Sequence, residues 1–283
     1  MRKNNMLFLA LLFVSFQLAV AQTSSLVQPD VAIFYPKDFK AYKTLPSLAV
    51  TQDVSQEKPL PTNWAVKPQF LQIEGKNAVQ FTFPEHVDLY GTGEVLGDLR
   101  RNGTDVTLWN TDNYEYGKFE GKQLYQAHPW VLGVRKDGSS FGILADHSWR
   151  QQIVLDDKVT FISEGPTFRV LVIEKDSPQE VMKALGELTG TMAMPPLWAL
   201  GYQQSRYSYY PDTSVKELAD EFRARKIPAD VIWMDIDYMD GFRVFTFDPE
   251  GFPDPKGLND YLHDKDFKSV SYTHLTLPTN REV

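Results

Sequence analysis

Val231-Ile-Trp-Met-Asp-Ile-Asp237 is the stretch on which the fold turns: four apolar residues that run into two carboxylates. A short apolar run that ends in polar residues reads as a buried strand of a parallel sheet. The flanking segments agree. Upstream, Leu197-Trp-Ala-Leu-Gly-Tyr202 reads as another buried strand. A helix then opens at Ser214-Val-Lys-Glu217, with Val215, Leu218 and Phe222 on one face and Pro228 limiting its end. Downstream, Pro253 to Phe267 predicts a second helix, and Lys268-Ser-Val270 the start of a third strand. Strand–helix–strand–helix–strand order predicts parallel pairing with right-handed crossovers. In barrels of this kind, polar residues at the C-terminal ends of strands build the active site, and Asp235 occupies such an end.

Before about residue 190 the pattern is different. From Val31 to Lys175 it is mostly period two, with turn residues at short intervals. Val79-Gln-Phe-Thr-Phe83 alternates as a half-buried strand should. Trp130-Val-Leu-Gly-Val134 and Phe141-Gly-Ile-Leu-Ala145 flank Lys136-Asp137-Gly138, a hairpin signal, since glycine accepts positive φ at little cost. Ile153-Val-Leu155 and Val159-Thr-Phe-Ile162 flank Asp156-Asp157-Lys158 in the same manner, and Phe168 to Ile173 closes the series. Many short strands with regular turns predict an antiparallel sandwich. Ser177-Pro178-Gln179-Glu180 is a capping box with proline at the first helical position. Val181, Leu185 and Leu188 follow at helical spacing, and Gly190 stops a helix that reads as a connector. The Pro- and Ser-containing stretch from Lys37 to Trp64 has no assignable pattern.

Composition narrows the function classes. Thirty-seven acidic against 29 basic residues give a net charge of −8 in 283 residues, which argues against a nucleic-acid partner. The chain has no cysteine, so disulfides, thiol nucleophiles and cysteine-ligated zinc are excluded. At the N-terminus Arg2-Lys3, the apolar run Met6 to Phe16 and Ala19-Val20-Ala21 read as a signal peptide cleaved before Gln22. The apolar run is shorter than the roughly 20 residues that a bilayer requires. The expectation is an exported protein, periplasmic or secreted, without membrane insertion after cleavage.

Asp235 and Asp237 are two residues apart, so on a continuing strand they would face one side. A calcium loop beginning at Asp235 fails on spacing, because its sixth position is Asp240 and its twelfth is Thr246. A solvated turn with capping aspartates is the plain alternative. Trp233, Tyr238 and Phe242 bracket the acids, as a carbohydrate pocket needs. His128 and His147, beside Pro129 and near Trp149, read as structural.

Longer motifs resemble glycoside hydrolase family 31, the α-glucosidases and α-xylosidases. They are Leu89-Tyr-Gly-Thr-Gly-Glu94, Leu108-Trp-Asn-Thr-Asp112 and Tyr125-Gln-Ala-His-Pro129, then Met194 to Tyr207, Pro228 to Gly241, and Phe245-Thr-Phe-Asp-Pro249 with Phe252-Pro253. The resemblance covers roughly Leu89 to Val270. It implies a β plus α/β fold: a galactose-mutarotase-like antiparallel β-sandwich followed by the first part of a (β/α)8 TIM barrel. On that reading residues 1–21 are the signal peptide, 22–190 the sandwich with its connecting helix, 191–270 the start of the barrel, and 271–283 a tail outside the family pattern.

The resemblance also implies roles. Asp235 matches an aspartate that hydrogen-bonds a hydroxyl of the terminal sugar, and Asp112 one on a sandwich loop that contacts the sugar. Tyr207 matches an aromatic wall of that subsite, and Ile236 an apolar contact. The substrate implied is an α-glucoside oligosaccharide, with α-xyloside as the alternative within the family; no metal or organic cofactor is implied. The family's nucleophile lies in a Trp-x-Asp-Met-Asn-Glu-like motif with the acid/base beyond it, and no such motif occurs in these 283 residues. No catalytic residue is therefore assigned, and the chain is expected to be inactive as an N-terminal portion. A non-catalytic carbohydrate-binding protein is the competing reading from another class.

Overall fold

In the computed structural model, residues 22–39, 58–113 and 123–272 are described. The signal-peptide expectation, the tail from residue 273 and residues 40–57 of the unassigned stretch lie outside them. The chain divides into two compact units at Thr191/Met192. No helix among the described residues is long and apolar enough to cross a membrane.

The first unit is built from two antiparallel sheets. Strands β1 (Gln22–Gln28), β2 (Val31–Pro36), β5 (Val87–Val95), β7 (Gln123–Arg135), β8 (Ser140–Asp146) and β11 (Arg169–Lys175) form one, in the order β1-β2-β11-β8-β7-β5. The other holds β3 (Pro68–Ile73), β4 (Lys76–Thr82), β6 (Thr104–Leu108), β9 (Gln151–Leu155) and β10 (Lys158–Ser163), in the order β3-β4-β10-β9-β6. Both expected hairpins are present. Gly138 takes a φ of 89° and donates its N–H to Arg135 O at 3.0 Å, which closes the β7–β8 turn. The β9–β10 turn closes through Asp156 N and Lys158 O at 3.2 Å.

Alternation explains the core. Val79 and Phe81 on β4, Ile153 and Leu155 on β9 and Phe161 on β10 face Phe34, Val131, Phe141, Ile143, Val170 and Val172. Strands β2 and β11 carry continuous apolar runs for a further reason. Ala32, Phe34, Val170 and Val172 enter this core, while Val31, Ile33, Leu171 and Ile173 join a second one beneath helix α1 (Pro178–Thr189). Ser177 caps α1, its hydroxyl accepting from Glu180 N at 3.4 Å, as the capping box predicts. Val181, Ala184 and Leu188 are the buried residues of that helix, so α1 covers the outer face of a sheet and is more than a connector.

The second unit is a three-stranded parallel sheet with its crossover helices. Its order is β12 (Gln203–Gln204), β13 (Val231–Met234) and β14 (Lys268–Ser271), and chain order is β12-α2-β13-α3-β14 with α2 at Asp212–Ala224 and α3 at Pro255–His263. Ile232 and Met234 on β13 pack with Val215, Ala219, Leu258, Leu262 and Phe267. Arg223 lies over the Phe267 ring at 3.8 Å and donates to Lys265 O and Ala229 O, tying α2 to the loops before β13 and β14.

Two local expectations are corrected. Leu197 to Tyr202 is not a buried strand: Leu197–Leu200 is a 3₁₀ turn, with Leu197 85% and Leu200 68% exposed. After Pro196, short-range bonds from Ala199 N to Pro196 O and from Gly201 N to Trp198 O satisfy the backbone, and ladder pairing begins only at Gln203. An apolar run without alternation is compatible with either outcome. Helix α2 also starts two residues before Ser214, whose hydroxyl donates to Pro211 O. Asp212 in its first turn sits favourably on the helix dipole and pairs with Lys216 Nζ at 2.7 Å.

Candidate functional site

In the second unit, β13 stops at Met234, and Asp235 caps the 3₁₀ turn Ile236–Tyr238. Its Oδ1 accepts from Ile236 N at 2.7 Å; among the described residues its Oδ2 has no partner. The strand therefore does not continue through Asp237, and the same-side argument for the two carboxylates lapses. Asp237 is instead bound by the Ser208 hydroxyl, which donates to its Oδ2. Because Ser208 follows Tyr207, this bond joins the loop after β12 to the loop after β13. Tyr207 is 69% exposed and Ile236 is half-buried. On β13 itself Trp233 points away from the helix-covered core and donates Nε1–H to Gln203 Oε1 at 2.9 Å.

Further bonds hold these loops. The Tyr238 hydroxyl donates to Tyr272 O at 2.6 Å. Asp248, in the Phe245-Thr-Phe-Asp-Pro249 motif, accepts from the Tyr210 hydroxyl at 2.8 Å and from Glu250 N and Gly251 N. That hydroxyl bond, with the two amides, holds the Asp248 carboxyl below its ordinary range and pushes Tyr210 up. The bonds of Asp248, Ser208 and Asp237 leave no local signal in the sequence, because each is made with a partner 29 to 38 residues away. Among the described residues, no three of His, Asp and Glu gather as a metal site.

In the first unit, three separate motifs meet. Asp112, exposed just beyond β6, accepts from the Tyr125 hydroxyl at 2.8 Å, and Tyr125 N donates to Glu94 Oε2 at 3.1 Å. Thr111 N–Leu124 O, at 2.8 Å, fixes the backbone beside Asp112. His128 is exposed. His147 is buried against Phe168, and burial lowers its pKa to about 4, so the ring is neutral at physiological pH.

Comparison with known proteins follows the same division. Residues 54–153 match the glycosyl hydrolase 31 N-terminal galactose mutarotase-like domain, and residues 192–280 the glycosyl hydrolases family 31 TIM-barrel domain. The chain is 39% identical to alpha-glucosidase 2 of Bacillus thermoamyloliquefaciens over 71% of its own length and 27% of that protein's. It is 54% identical to the crystal structure of a family 31 alpha-glucosidase from Bacteroides thetaiotaomicron, with a TM-score of 0.65, covering 71% of this chain and 34% of that one. The fold alone is shared with a family 31 dextranase of Flavobacterium johnsoniae complexed with glucose, at 22% identity and a TM-score of 0.77, covering 89% of this chain and 36% of that one. The chain thus spans about a quarter to a third of the length of these relatives.

Proposed function

Because the chain belongs to glycoside hydrolase family 31, we propose that the whole protein is an exported hydrolase that removes terminal α-linked glucose with retention of configuration, and that this chain supplies sugar-recognising residues. Asp235 carries the reading. It stands, half-buried, at the C-terminal end of a parallel strand, one oxygen bound by its own loop and the other without a partner among the described residues. A carboxylate fixed in this way is pre-aimed and keeps a strong acceptor for a hydroxyl. Tyr207 then offers an exposed ring and Ile236 an apolar contact, while Asp112 on its own unit is held by Tyr125. The α-glucosidase names of the relatives support glucose over xylose. Export rests on the basic, apolar and small-residue segments before Gln22.

Retention requires two carboxyls about 5–5.5 Å apart, a nucleophile and an acid/base. None of the residues assigned to sugar contact here takes either role, and the Trp-x-Asp-Met-Asn-Glu motif is missing from the sequence. We therefore expect the 283-residue chain alone to bind an α-glucoside without turning it over. The whole enzyme should release glucose from an aryl α-glucoside, and NMR of the first-formed sugar should show the α anomer. A β anomer would refute retention. Turnover by the 283-residue chain, abolished by one of its own Asp or Glu substitutions, would refute the division of labour, and tight binding by a whole protein that never turns over would favour the non-catalytic reading.

A further inference from the structure

A cleft of about 570 Å³ opens on the first unit, lined by Leu108, Trp109, Pro129, His147, Trp149 and Gln151 among others. That is within the size range of small-molecule sites. A neighbouring hollow shares Trp109 and Trp149 and reaches Arg150 and Glu164. Neither Asp112 nor Tyr125 lines either one.

The two tryptophans are 56% and 54% exposed, an unusual cost for such large rings unless something covers them. Both are nonetheless held in place. The Arg150 guanidinium lies 5.8 Å over the Trp109 ring. Trp149 packs on Gly165, where an added Cβ would stand 2.4 Å from Trp149 Cγ. The Trp149 backbone N–H donates to His147 Nδ1 at 3.1 Å. These contacts keep an aromatic rim standing without filling the space beside it.

The floor is polar and incomplete. His147 and Gln151 are 7% and 3% exposed, and among the described residues His147 Nε2 and Gln151 Oε1 have no hydrogen-bond partner. Buried polar atoms are nearly always paired, so two orphans in the lining of one cleft call for a ligand that offers each a partner. Since Nδ1 accepts from Trp149, the ring proton sits on Nε2, which makes it a donor; Gln151 Oε1 is an acceptor. Hydroxyls, each donor and acceptor at once, match both atoms. Both atoms are shielded from solvent, so a small side-chain adjustment accompanies contact, as is common on binding. A ligand with hydroxyls on its edge and a flat apolar face for indole is a pyranose.

We infer that the Trp109–Trp149 cleft is a sugar-binding site carried by the first unit, and that it takes an α-linked gluco-oligosaccharide. The choice of sugar rests on the function proposed above; the choice of cleft does not. The test is calorimetric titration of the 283-residue chain with maltoheptaose. Trp149→Ala should weaken binding about tenfold or more, Trp149→Phe should keep most of it, and Asp235→Asn should leave a binding event that Trp149→Ala removes. Both tryptophans are half-exposed, so an unchanged melting temperature in these variants excludes misfolding as the cause. Wild-type affinity in both Trp109→Ala and Trp149→Ala, with loss in Asp235→Asn, overturns the cleft and leaves the proposed function standing. A wild-type chain that binds no maltoheptaose also overturns it, while glucose release by the whole enzyme reports separately on the function.

Discussion

Strand β2 of the first unit and strand β13 of the second carry similar apolar runs, yet they are buried differently. In β2 every residue from Val31 to Phe34 is enclosed, because one face meets the other sheet and the opposite face meets α1. In β13 one face packs on α2 and α3, and Trp233 on the other face is exposed. The same unit exposes Leu197, Leu200 and Phe245. Parallel sheets are normally covered on both faces, so the second unit leaves more of its apolar side chains in water than the first. Hydrophobicity in a strand is thus no measure of how well that strand is supported.

The largest expected effect follows from that contrast. Under limited chymotrypsin digestion, cleavage should concentrate beyond about residue 190, at exposed residues such as Leu197, Leu200 and Phe245, and leave a resistant sandwich. Mass spectrometry identifies the product; a first unit degraded as fast as the second would erase the distinction.

Within the first unit, His147 should make stability depend on pH. Its pKa is about 4 when folded against 6.5 in its ordinary state, because burial disfavours the charged ring. Protons therefore bind the unfolded chain more readily. The contribution is intact above pH 6.5 and is lost as pH falls from 6.5 toward 4, by about 3 kcal/mol in total. Chemical denaturation across that range should be shallower for His147→Gln, and parallel curves for the two proteins would contradict the assignment.

In the second unit Asp235→Asn should act on affinity and not on the fold. Loss of a charged hydrogen bond to a sugar hydroxyl costs about 1.5–3 kcal/mol, visible as weaker binding in the chain and lower kcat/KM in the whole enzyme. A fallen melting temperature with unchanged affinity would make Asp235 only a cap for its own turn.

The smallest effects compare like with like. Ser177 caps α1 and Asp254 caps α3, the latter accepting from Gly257 N at 2.9 Å. Either residue changed to alanine should cost about 1 kcal/mol. If the two units differ in support, the Asp254 change should broaden or lower the unfolding of the second unit while the sandwich transition moves little. Equal shifts in a single transition would show that the two units unfold together.

Much of this was legible along the chain. Hairpins at Gly138 and Asp156, the capping box at Ser177, and the change of period near residue 190 depend on neighbours within a few residues, so the sequence alone determined them. So did the family and the position of Asp235, which follow from long ordered motifs. Other features depend on contacts across tens of residues. The burial of both faces of β2 needed α1, some 140 residues on, and the role of Asp237 needed Ser208. The 3₁₀ turn at Leu197–Leu200 was decided by whether a strand partner was available at that register, which an unbroken apolar run does not state. The tryptophan cleft is of the same kind: Trp109, Trp149 and Gly165 are ordinary letters until the sheets bring their loops together. Periodicity and turn chemistry are local and can be read from order; burial, pairing and the partners of polar atoms are set only when distant segments meet.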